Sequence, residues 1–263
     1  LFPTDRARAE ETLATGQLAL ADAFVQIASR DTGQNSEAAK TLYEMLLPLR
    51  LRELSPQQGN LVVIVDSQSA CYPWELLENR WAAGERPPSV AAGFVRQFRT
   101  AEFRQRPAHS LANTALVIGN PDLQDCPDFC DLPGARDEAQ AVAEQLGAEG
   151  YAVTDCIDQS ATPILEALHK DSWRILHLAG HGVHQYAAAG GKPVSGMVIG
   201  PTSFLTPGDI AQMRFVPDLV FINCCHLGRV DGRRELDRLG LAANLGEEFV
   251  RMGVRAVVAA GWA

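Results

Sequence analysis

From Thr114 onward, short continuous apolar runs alternate with stretches of helical spacing. "TALVIG" (114–119), "YAVTDCI" (151–157), "RILHLAG" (174–180), "LVFIN" (219–223) and "RAVVAAG" (255–261) predict strands; "GMVIG" (196–200) and "SFL" (203–205) predict shorter ones. Between them "LPGARDEAQAVAEQLG" (132–147), "SATPILEALHKD" (160–171), "TPGDIAQM" (206–213) and "LAANLGEEFVRMG" (241–253) predict helices. Strands alternating with helices point to a mostly parallel sheet covered on both faces. Runs apolar at nearly every position, such as 219–222, fit strands buried on both sides.

The first third has a pattern of its own. Residues 5–30 are Ala-rich at helical spacing, and 36–53 repeat it, with Ser36 as N-cap and Pro48 ending the helix early. "LVVIVD" (61–66) and "FVRQFR" (94–99) predict strands; "YPWELLENRW" (72–81) predicts a turn and a short helix between them. "QRPAHSLAN" (105–113) reads as a linker. The division expected is therefore a smaller α/β unit over 1–105 and a larger one over 106–263.

The 263 residues are 46% hydrophobic, ample for a packed core. No apolar run approaches the about 18 residues of a membrane span. The net charge of −9 and the lack of a basic stripe argue against direct nucleic-acid binding. Arg96, Arg99, Arg104 and Arg106 form the densest basic group and read as the wet face of a strand. Six cysteines in a long acidic chain without a secretory signal read as reduced thiols, and the expected location is cytoplasmic. The chain starts at Leu1 rather than Met, so it is expected to be a piece of a longer protein.

Two predicted strand ends carry chemistry. Three of the six histidines crowd into 174–186, and His181 stands on a glycine-flanked turn after an apolar run. Cys224, Cys225 and His226 follow another such run and precede Gly228. Sites in open α/β sheets lie beyond the carboxyl ends of strands. A thiolate nucleophile beside an imidazole suits amide hydrolysis: the imidazole takes the thiol proton and returns one to the leaving amine. Backbone N–H groups of Gly182 and Cys225 are the candidate oxyanion donors. His181 precedes Cys225 by 44 residues, close to the about 50 of caspases.

The region from Thr114 to the end resembles the caspase-like cysteine peptidases, and the whole chain more closely resembles a CHAT domain, a bacterial relative of caspases and separase. "HLAGHG" (177–182) matches the His-Gly block, and "INCCHLG" (222–228) the Cys block. "YPWELL", "LPGARDEAQAVAEQL" and "VVAAGW" are also similar to blocks of that family, in the same order. The resemblance implies an α/β caspase-like fold, His181 as catalytic histidine, Cys225 as nucleophile, and Gly182 and Cys225 N–H as the oxyanion hole. It implies that residues 1–105 are a degenerate, silent half. Cys224 and His226 depart from the family's Ala or Ser and Glu.

In the positions that select the residue before the cut, this chain has Leu132 where Asp-cutting caspases have arginine, and Asn223 where metacaspases have Asp. Leu132 and Asn223 predict a neutral, aliphatic P1 side chain, while Asp131 next door is placed to contact a basic one. The function expected is a cysteine endopeptidase acting on a partner protein, triggered in bacterial defence or programmed death, with sensor, repeat or adaptor segments outside this piece. Neither cofactor nor metal nor membrane is expected. The rivals are a silent CHAT-type binding module and a zinc domain built on Cys126, Cys130 and the Cys-Cys-His cluster.

Other residues read blandly. His177 and Cys224 are expected in the core, Cys71 and Cys156 as small core fillers, and His184 on a loop surface. Asp137 and Glu138 are expected to complement the first turn of their helix. The Ala- and Gly-rich stretch 184–196 is expected to be a mobile gate.

Overall fold

The computed structural model describes residues 18–28, 36–47, 49, 61–66, 69–78, 88–91, 93–99, 103–124, 126–187, 192–224 and 234–260. The chain divides into two compact units, Leu1–Arg99 and Thr100–Ala263.

In the first unit, helices α1 (Leu18–Ala28) and α2 (Ser36–Leu46) pack together. Ala38, Ala39, Leu42, Tyr43 and Leu46 are buried at helical spacing, and α2 stops before Pro48. The Ser36 hydroxyl donates to the Glu78 carboxylate at 2.6 Å. Strands β1 (Leu61–Val65) and β2 (Phe94–Phe98) pair in parallel, with two 3-10 turns (Ser69–Cys71 and Trp74–Leu76) and a helical turn, α3 (Pro88–Ala91), between them. Arg96 is not simply a wet residue: its guanidinium is bidentate on Glu75 and donates to the Ala70 carbonyl at 2.8 Å.

The second unit holds β3 (Thr114–Gly119), α4 (Pro133–Ala148), β4 (Ala152–Ile157), α5 (Ala161–Lys170) and β5 (Ile175–Ala179). A hairpin-like sheet follows, β6 (Gly182–Tyr186), β7 (Val194–Gly200) and β8 (Ser203–Leu205), paired antiparallel. Then come α6 (Pro207–Ala211), β9 (Leu219–Asn223), α7 (Arg234–Met252) and β10 (Ala256–Ala259). The main sheet has five strands, all parallel, in the order β10-β9-β5-β3-β4. This is the α/β caspase-like arrangement of a parallel sheet flanked by helices.

Leu116, Ile118, Leu176, Leu178, Val220 and Ile222 join one continuous core with Ile164 and Leu168 of α5 and Leu245 and Phe249 of α7. On α4 the packing is equally close: a Cβ at Gly119 would overlap Ala139. Glycine lets the helix settle directly on the end of β3.

Among the described residues, only the two ends of the stretch 184–196, expected to be a gate, are strand. Its first residues through Tyr186 belong to β6, and it reaches β7 from Val194. Val183, just before the stretch, packs with Leu123, Phe129 and Val198. Residues 188–191 lie outside the described residues.

Candidate active site

The strand order reverses at β3. The chain steps from β3 to β4 on one side and returns as β5 on the other. In open parallel sheets the crevice beyond the carboxyl ends at such a reversal is the natural site. The loop 120–132 leaves β3 there, and the turn of Gly180 and His181 leaves β5 there.

These two segments meet at His181. The imidazole is 1% exposed, and its Nε2 lies 2.6 Å from the Cys130 carbonyl oxygen. A carbonyl only accepts, so the proton is on Nε2 and Nδ1 is the acceptor nitrogen. The loop is clamped around this bond. The Phe129 ring lies 5.5 Å from the His181 ring and 5.6 Å from that of Tyr186, whose hydroxyl donates to Asp128 at 3.0 Å. Burial, then the Asp128 carboxylate, raises the Tyr186 phenol pKa, so the hydroxyl stays a donor.

The end of β9 closes on the same turn. Gly180 N–H donates to the Asn223 carbonyl at 3.1 Å. Gly182 lies against the next residue: a Cβ there would overlap the Cys224 carbonyl oxygen and Leu241, and would stand 3.1 Å from Cys224 Cβ. Cys225 itself lies outside the described residues. The Cys224 thiol is fully buried, 3.8 Å from the Leu178 carbonyl, as a core filler should be. Cys156 is likewise buried, and desolvation, then the Asp155 charge, pushes its thiol pKa up and away from thiolate.

The three residues expected in the substrate pocket are all held by neighbours. Asp131 accepts from Asn120 Nδ2 at 2.7 Å and from Arg136 Nη2 at 2.9 Å. Leu132 caps α4 by position, and its N–H donates to Asn120 Oδ1 at 2.9 Å. Asn223 Nδ2 donates to Glu138 Oε2 at 2.6 Å. An open cleft of about 570 Å³ lies beside the His181 clamp, lined by Leu123, Phe129, Cys130 and Asp131 among others. Its floor is a polar knot: buried Asn120 also donates to Asp158, and Arg136 joins Asp131 to Asp158.

Sequence reasoning missed two participants. The Cys130 carbonyl acts through the main chain, which no residue type advertises. Glu138 was expected at the first turn of α4, but the helix starts at Pro133, so Glu138 falls in the second turn and faces the sheet. Its Oε1 lies 3.0 Å from Nε2 of His177, an ion-pair distance without the alignment of a hydrogen bond. His177 is buried and stacks on Phe221 at 5.1 Å, in the core as expected. His184 is half-buried rather than on a loop: its Nδ1 lies 3.2 Å from both Ser195 Oγ and Asn244 Nδ2. Among the described residues no helix is long and apolar enough to cross a membrane.

No curated protein and no solved structure matches the chain. A family does: the model of the CHAT domain, a caspase-like and protease-related domain, matches residues 36–263. With that match across most of its length, the chain belongs to the CHAT domain family.

Proposed function

We propose that the protein is a cysteine endopeptidase in which Cys225 is the nucleophile and His181 the acid–base. The observation that carries this reading is the contact of Gly182 with the Cys224 carbonyl. It sets Cys224, the residue before Cys225 in the sequence, against the turn that presents His181. The Cys130 carbonyl supports the roles: it holds Nε2–H, so Nδ1 is the nitrogen that would act as base.

The steps balance simply. Nδ1 takes the Cys225 proton, and the sulfur adds to the scissile carbonyl. The electron pair moves to oxygen, where the N–H groups of Gly182 and Cys225 receive it. Collapse expels the amine, which takes the proton from His181, and leaves a thioester. Water, deprotonated by the same imidazole, attacks the thioester and restores the thiol. Leu132 and Asn223 are the residues from which a neutral P1 preference is drawn, and Asp131 lies beside them in the pocket. The substrate is a partner protein, cut on a signal received by segments beyond this piece, in bacterial defence or programmed death. Residues 1–105 serve as the silent half of the domain.

A tripeptide acyloxymethyl ketone with Leu at P1 tests the assignment. Wild type and Cys224→Ala are expected to label, Cys225→Ala not at all, and His181→Ala about 10²- to 10⁴-fold more slowly. A wild type that does not label would favour the silent binding module, and labelling that survives Cys225→Ala would overturn Cys225 as the nucleophile. A peptide library cut mainly after Asp would overturn the P1 assignment.

A further inference from the structure

Glu138 is out of place as a surface helix residue. Its carboxylate sits over the junction of β5 and β9, with one oxygen accepting from Asn223 and the other 3.0 Å from His177. The His177 side chain is only 5% exposed, and Glu138 itself is 29% exposed. A carboxylate drawn toward a sheet is costly unless its oxygens are engaged, and an apolar residue would cover these strands without that cost. What the carboxylate adds is direction. It reaches two adjacent strands, bonded to Asn223 of β9 and at ion-pair distance from His177 of β5, in which His177 pairs with Phe221 and Ala179 with Asn223. His177 and Asn223 lie four residues before His181 and two before Cys225. The Asn223 carbonyl completes the link by accepting from Gly180, next to His181.

We propose that Glu138 is a positioning residue for the Cys225–His181 pair. The backbone ladder already spaces β5 from β9; by accepting from Asn223 and lying beside His177, Glu138 sets how the chain leaves the two strand ends toward His181 and Cys225. The proposal rests on the peptidase reading above. It also assigns one Asn223 donor to the scaffold, so Asn223 reaches substrate only through what remains of its amide.

The test uses the full chain and the same Leu acyloxymethyl ketone, with limiting labelling rate and half-saturating concentration measured separately. Glu138→Ala is expected to lower the limiting rate about 10- to 100-fold with half-saturation unchanged, the scale set by small misplacements of reacting groups. Glu138→Gln keeps an acceptor for Asn223 and is expected to lose less. Asn223→Asp sets two carboxylates face to face and is expected to label as slowly as Glu138→Ala. The double variant Glu138→Gln with Asn223→Asp re-forms the bond with donor and acceptor exchanged, and recovery of rate is expected. A purely structural Glu138 would lower the melting temperature without splitting rate from half-saturation and without rescue. If wild type labels but Glu138→Ala labels at the same limiting rate, or if the double variant is no faster than Asn223→Asp alone, the positioning role is wrong and the peptidase reading stands. A wild type that does not label removes the peptidase reading first.

Discussion

At Gly182 the lack of a side chain is a packing requirement. A methyl group there would meet the Cys224 main chain, which cannot swing aside, and Leu241 of α7, which is itself 2% exposed. Gly182→Ala is therefore expected to destabilise by about 1–3 kcal/mol, the usual cost of overpacking. It should also slow labelling of Cys225 by pushing the end of β9 from the His181 turn. Urea unfolding gives the first number and labelling the second; a variant as stable and as reactive as wild type would mean the two segments are not in contact. Asn120 shows a different constraint. Its φ of 45° is left-handed, a conformation Asn tolerates better than most residues, and its buried amide binds Asp131, Asp158 and the Leu132 N–H. At this scale the sequence displays His181 and its glycines plainly, because a turn histidine after an apolar run is a residue-type signal. The Cys130 carbonyl and the Glu138 grip leave no such signal, since one is main chain and the other depends on where the helix begins.

Among the elements, α7 ties the site to the core. Leu241, Leu245, Phe249 and Met252 recur at helical spacing and are buried. The sequence pattern foretells this helix from Leu241, but the structure begins it at Arg234. The early turns, "RELDRLG", have few apolar positions, so hydrophobic periodicity has little to register there. The same physics explains β6: Gly182–Tyr186 has a single aliphatic residue, and its place is set by pairing with β7 rather than by an apolar run. The parallel strands β3 and β5 were legible because burial on both faces writes a continuous apolar run; β9 carries such a run too, although it is fully buried only at alternate positions. Phe249 is the largest fully buried side chain of the core. Phe249→Ala is expected to cost about 3–5 kcal/mol, from lost transfer energy and the cavity left behind. Chemical denaturation measures it; a loss under about 1 kcal/mol would mean that α7 does not close the core.

For the molecule as a whole, the acid side of its stability is governed by carboxylates, 32 Asp and Glu against 23 Lys and Arg. As pH falls from 7 toward the pI of about 5.2, self-repulsion eases and stability is not expected to suffer. Below that range the knot at the ends of β3 and β4 makes one contribution of known sign. The hydrogen bonds from Arg136, chiefly, and from Asn120 hold the Asp158 carboxyl below its ordinary pKa, against the desolvation that would raise it. The native state therefore binds the proton less readily than the unfolded chain. The contribution is complete above the ordinary carboxylate pKa and is lost as pH falls through the depressed native one. Asp158 is 45% exposed, so the effect is small and screened by salt. Asp158→Asn is accordingly expected to be less stable than wild type at pH 7, with the two unfolding curves converging in the acid range and the gap narrowing in high salt. Parallel curves from pH 7 to pH 2 would show that Arg136 does not stabilise the Asp158 anion, and that the floor of the cleft is held by Asn120 alone.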